Sequence, residues 1–141
     1  MINNQINVSQ FDGDPPASDK APRKIAGGPL YPREAWQALA NAKNLQLWSN
    51  GAIKDAQKWN LSTNDVAELL GLALQRGRFK GSEWCQQKPN GPWAACDAYT
   101  VMRLEWHTHA HKEIETTYYL KAAISKTGKW LLSASNHPEG T

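Results

Sequence analysis

Two cysteines in 141 residues, Cys85 and Cys96, are too few for a disulfide framework and fit no zinc-ligand spacing, so both are read as reduced thiols. No apolar run approaches the roughly 18 residues that a membrane span needs. The opening stretch MINNQINVSQFDGD has neither the basic start nor the apolar block of a secretory leader, and a cytoplasmic location is expected. Carboxylates are not clustered either. Asp97, Glu105, Glu113 and Glu115 are scattered over strand and loop, which argues against chemistry built on a carboxylate-bound metal. No internal repeat or low-complexity block is present.

What remains is the size of one domain with a modest core. Apolar residues make up 40% and charged residues 21%, the ordinary balance of a globular chain. The net charge of +3 is compatible with an anionic partner, but only the placement of the charges can say so. Seven tryptophans are many for this length, and most are expected in the core. Residues 1–28 are polar and broken by Pro15, Pro16, Pro22, Gly27 and Gly28, without helical or strand periodicity. They are expected to form a flexible polar tail, or a segment ordered only by a partner, whose Lys20, Arg23 and Lys24 could touch nucleic acid but are read as solvated. Residues 29–141 are expected to form a single domain.

Pro32 suits a first helical turn, and Trp36, Leu39 and Ala40 then recur at helical spacing to about Ala42. Leu45–Trp48 reads as a short edge strand and Ala52–Trp59 as a second helix. Ser62 followed by Asp65 predicts a capping box for a third helix that carries Val66, Leu69, Leu70, Leu72 and Leu74 and ends around Gln75–Gly77. From Phe79 the period changes to two. After a Gly, Pro and Asn-rich loop (Gln87–Pro92), strands are expected over about Asp97–Trp106, Thr116–Ser125 and Trp130–Ser135. The tight turn Lys126-Thr127-Gly128-Lys129 joins the last two. The expected class is α+β, with N-terminal helices packed on a C-terminal antiparallel sheet.

Alternation assigns faces. Tyr118, Leu120, Ala122 and Ile124 form a buried set, with Tyr119 and Lys121 opposite. In the preceding strand Ala98, Thr100, Met102 and Leu104 are the more apolar set, which leaves Tyr99, Val101 and Arg103 for the polar face. In the last strand Trp130, Leu132 and Ala134 are apolar, and Ser133, Ser135 and His137 polar. The polar face so assembled holds two tyrosines, an arginine, a lysine and a histidine.

The chain resembles the MqsR family of toxin ribonucleases, within the RelE-like group. The order helix, short strand, two helices and sheet is similar, and so are short words in sequence. YPREAWQALANAKNLQLWSNGAIKDAQKWNLSTNDVAELLGLAL looks like the family's N-terminal helices. RFKGS is similar to "DFYKS", CDAYTVMR to "WQDVYRP", YYLKAAIS to "VYLKITV", and LLSASNHP stands where the family ends in "LIVSFK". The resemblance covers about residues 30–138. It implies a RelE/MqsR-like fold, cleavage of mRNA, a cognate antitoxin and, for some such enzymes, the ribosome as a partner. It puts the family's strand tyrosine on Tyr119 and its closing lysine on His137. The "YKS" lysine reaches Lys80 by a one-residue shift from Gly81. Cys96 stands in place of the family's glutamine and cannot make the same hydrogen bonds.

The chemistry expected of these residues is metal-free and needs no cofactor. A base takes the proton of a 2′-hydroxyl, cations neutralise charge at phosphorus, and an acid protonates the leaving oxygen. Histidine, with an ordinary pKa of about 6.5, suits proton transfer. The expected catalytic set is His137, Lys80, Tyr119 and Arg103, with Lys121, Tyr99 and Arg78 binding RNA. The alternative is a non-enzymatic module that binds nucleic acid or protein through the same basic face. His107, His109 and His111 invite a metal hypothesis, since imidazole suits zinc, copper or nickel. They fall in the expected hairpin loop with no cysteine pair near, and are read as a solvated loop.

Overall fold

The Ser62 hydroxyl accepts from the Asp65 amide at 3.0 Å, and the Asp65 carboxylate accepts from the Ser62 amide at 2.8 Å. This reciprocal cap starts a helix over Thr63–Arg76, whose Val66, Leu69, Leu70 and Leu74 are buried. Trp36, from the preceding pair of helices, lies against it at 1% exposure, and its indole N–H donates to the Leu70 carbonyl at 2.9 Å. A computed structural model describes residues 5–141. In chain order the elements are β1 (Lys24–Ile25), α1 (Arg33–Asn41), β2 (Leu45–Leu47), α2 (Asn50–Lys58), α3 (Thr63–Arg76), β3 (Arg78–Gln86), β4 (Trp93–His107), β5 (Lys112–Ile124) and β6 (Leu131–Pro138).

The fold is α+β, with one six-stranded sheet in the order β1-β3-β4-β5-β6-β2. The expected antiparallel sheet is corrected at one edge, where β2 runs parallel to β6 from Leu45 opposite Leu131. β3 occupies the period-two stretch that begins near Phe79 and pairs with β4 from Arg78 to Gln86. Beyond β3, the Gln87 carbonyl accepts from the Asn50 amide (3.0 Å) and its side chain donates to the Trp48 carbonyl (3.1 Å). Three strands separate β3 from β2, so this contact requires the sheet to curl at that end. None of the described helices is long and apolar enough to cross a membrane.

Residues 5–28 are not the flexible tail that their composition suggests. Val8 donates to the Trp93 carbonyl (2.9 Å) and Gln10 to the Ile124 carbonyl (2.8 Å), closing backbone groups at the ends of β4 and β5. Ser9 is fully buried, and its hydroxyl accepts from the Ala95 amide at 2.9 Å. Phe11 meets Trp84 edge-on at 6.0 Å, and Ile25 packs on the same cluster, which contains the buried Trp93. The Pro and Gly breaks hide any period in this stretch. What orders it is the unpaired backbone and apolar surface it covers.

Candidate active site

Residues directly opposite on antiparallel strands point to the same side of a sheet. Arg78 stands opposite Thr100, Thr100 opposite Tyr119, and Tyr119 opposite His137, so these four form one row across β3, β4, β5 and β6. The next row is Gly81, Ala98, Lys121 and Ser135. Both rows face away from the helices. The Tyr119 and His137 rings are stacked, with centroids 5.5 Å apart and planes at 29°. Lys121 Nζ lies 5.9 Å from the Tyr119 ring centre and 3.5 Å from the Glu83 carboxylate.

The β3–β4 register breaks between Phe79 and Gly81, leaving Lys80 as the extra residue of a bulge. Gly81 has φ 128°, a region that favours glycine. The bulge aims Lys80 between two clefts on this open face. One, of about 560 Å³, is lined by Arg76, Arg78, Lys80, Thr100 and Glu115 among others. The other, of about 280 Å³, is lined by Lys24, Lys80, Glu83 and Tyr119 with their neighbours. Arg78 and Lys80 have no acidic partner among the described residues. Neighbouring strands are about 4.8 Å apart, so the Arg78 and His137 backbones stand roughly 14 Å apart, and of the cations and tyrosines in these rows it is Tyr119 that touches the imidazole.

His137 Nδ1 lies 3.0 Å from the Pro138 carbonyl. A carbonyl only accepts, so the neutral ring carries its hydrogen on Nδ1 and leaves Nε2 as an acceptor. The Tyr119 hydroxyl is held above the ordinary tyrosine value by burial, against the opposing pull of Lys121, so it remains a donor. Burial alone would lower Lys121. Cys85 and Glu83 outweigh it and hold the ammonium charged. The open face thus carries a proton acceptor, a proton donor and several cations.

Two expected members belong to the other face. Tyr99 is buried between Trp36 (5.5 Å) and Phe79 (5.6 Å), its hydroxyl pushed up to about 12 by burial. Arg103 turns towards α3, with its guanidinium 2.6 Å from Glu105, 2.8 Å from Glu68 and 3.3 Å from Asp65. Tyr118 donates to the same Glu105 carboxylate at 2.7 Å. Arg103 is held in this acidic cluster on the helix face, away from the open-face rows. The expected faces of β4 are therefore reversed. Met102 and Leu104 are apolar but exposed, and the set Tyr99, Val101 and Arg103 faces the helices. Replacing Arg103 by Ala strands these carboxylates, so an unfolding free energy lower by about 1–3 kcal/mol is expected in urea titrations. RNA binding should be unchanged in the folded fraction.

Ser133 is also corrected. A bulge between Lys121 and Ala122 sets Ser133 opposite Ala122 on the helix face, while Ser135 and His137 keep the open face. Cys96 is fully buried and hydrogen-bonded to the Ala94 carbonyl at 3.7 Å, out of reach of a substrate. His107 ends β4, and His109 and His111 stand in the exposed turn that follows. Among the described residues no three His, Cys, Asp or Glu side chains gather where they could hold a metal ion. Lys24, expected in the polar tail, lines the smaller cleft. It arrives through β1, opposite Glu83, and nothing in its local sequence signals a strand. No protein family, curated protein or solved structure matches the chain.

Proposed function

We propose that this chain is an endoribonuclease toxin of the RelE-like, MqsR-type class that cuts mRNA without a metal ion. The reading rests above all on the stacked Tyr119–His137 pair, whose imidazole keeps Nε2 free to accept a proton, with the Lys121 ammonium on the far side of the Tyr119 ring. His137 takes the proton of a 2′-hydroxyl as that oxygen bonds to the adjacent phosphorus. The bond from phosphorus to the 5′-oxygen breaks, leaving a cyclic phosphate and a 5′-hydroxyl once that oxygen is protonated. Lys121 neutralises charge at phosphorus, and the Tyr119 hydroxyl donates the proton that the leaving 5′-oxygen takes up. Arg78 and Lys80, across the Tyr119 strand, hold flanking phosphates. They take the part first expected of Arg103.

The order of helices and strands and the short sequence words support the class. A neutralising antitoxin and a cytoplasmic site of action follow from that class and stand or fall with it, whereas the class contains enzymes with and without the ribosome as a partner. The test is purified protein incubated with a long RNA, with and without chelator. The expected result is fragments with 5′-hydroxyl ends at a rate that chelator leaves unchanged. Binding without cutting would favour the non-enzymatic module, and loss of cutting in chelator would overturn the metal-free route.

A further inference from the structure

Beyond Thr100 the outer side of β4 has no neighbouring strand. β3 begins at Arg78, opposite Thr100, while β4 continues to His107. The Met102 carbonyl points out from this edge, where the Arg76 guanidinium donates to it at 3.1 Å. Backbone groups alternate in direction along a strand, so the N–H and C=O groups of Leu104 and Trp106 point outward as well. Among the described residues nothing pairs with them. Met102, Leu104 and Trp106 also present their side chains in a row on the open face, at 51%, 54% and 61% exposure. Edges of this kind are ordinarily blunted by charge or proline. Here the row is apolar.

We propose that this edge pairs with the same edge of a second copy of the chain, antiparallel about a two-fold axis at Leu104. In that register Leu104 exchanges both backbone hydrogen bonds with its own counterpart, Met102 pairs with Trp106 of the second copy, and Trp106 with its Met102. All the outward backbone groups named above then find partners once Arg76 swings off the Met102 carbonyl. The apolar rows meet side by side. On the opposite face the same register sets Arg103 beside Glu105 of the second copy, and Glu105 beside its Arg103, so that the two clusters these residues form within their own chains adjoin without opposing like charges. Centring the axis on Arg103 or on Glu105 instead would oppose like charges. The sequence Met-Arg-Leu-Glu-Trp is thus self-complementary in both shape and charge, as an isologous interface requires. The result is one sheet continuous through two copies, and it needs nothing of the ribonuclease reading.

Sedimentation equilibrium of the full chain tests this. The expected species is a reversible dimer of twice the 15.7 kDa chain mass. Leu104→Lys places a charge in the exposed row without touching the core and should sediment as a monomer. Leu104→Cys gives a positive signal. Hydrogen-bonded partners across antiparallel strands have Cβ atoms about 5.5 Å apart, too far for an unstrained disulfide but within reach of a short bifunctional thiol reagent, so that reagent should yield a covalent dimer on a denaturing gel. A native chain that stays monomeric at every concentration overturns the proposal. So does a dimer that survives Leu104→Lys, or Leu104→Cys that does not cross-link.

Discussion

Replacing His137 by Ala is expected to lower RNA cleavage by about 10²–10⁴-fold, the usual worth of a positioned acid–base group. The unfolding midpoint should stay close to that of the native chain. The side chain is half-buried near the end of β6, and its hydrogen-bonding contacts are the Pro138 carbonyl and the Thr141 hydroxyl, neither of which belongs to the core. Single-turnover cleavage of a labelled RNA measures the first quantity and urea titration the second. Growth inhibition on expression should vanish with the activity. Full activity of the variant would remove His137 from the mechanism and the proposed chemistry with it.

Deleting residues 1–26 is expected to cost on the order of 3–5 kcal/mol of stability, read as a fall in the urea midpoint. The deletion removes β1 from the β3 edge, uncovers Trp84 and Trp93, and strips the Ala95 amide of its Ser9 acceptor. Each partly buried apolar side chain in the segment, Val8, Phe11 and Ile25 among them, contributes about 1–2 kcal/mol. A true tail would leave the midpoint where it is, so one measurement separates the packed segment from a solvated one. The same deletion removes Lys24 from the smaller cleft, and weaker RNA binding should accompany the lost stability.

The helices were legible because their signals are local. Ser62 and Asp65 are three residues apart and cap the helix wherever it packs, and the apolar spacing of α3 predicts a buried stripe. The Lys126–Lys129 turn and the burial of Leu120 and Ile124 were legible for the same reason. On β5, apolar and polar residues alternate cleanly, so period and sign agree, and Tyr119, Lys121 and His137 share a face as expected.

On β4 the alternation carried a period but not its sign. Val101 beside Arg103 and Met102 beside Leu104 make both faces partly apolar, and composition chose the wrong one. The pairing of Thr100 with Tyr119 decides the matter, because it binds the face of β4 to that of β5. A single extra residue at Lys80, and another in β6, then re-aim side chains that strict alternation would send elsewhere.

The amino-acid sequence by itself determined the three helices, the succession of long strands and the face of β5, since each follows from contacts between residues close in the chain. Only the tertiary structure decided that Arg103 and Tyr99 belong to the packing, that Lys24 enters the site, and that parts of residues 5–28 pack on the sheet. Those outcomes depend on register and on unpaired groups contributed by distant strands, which no local pattern encodes.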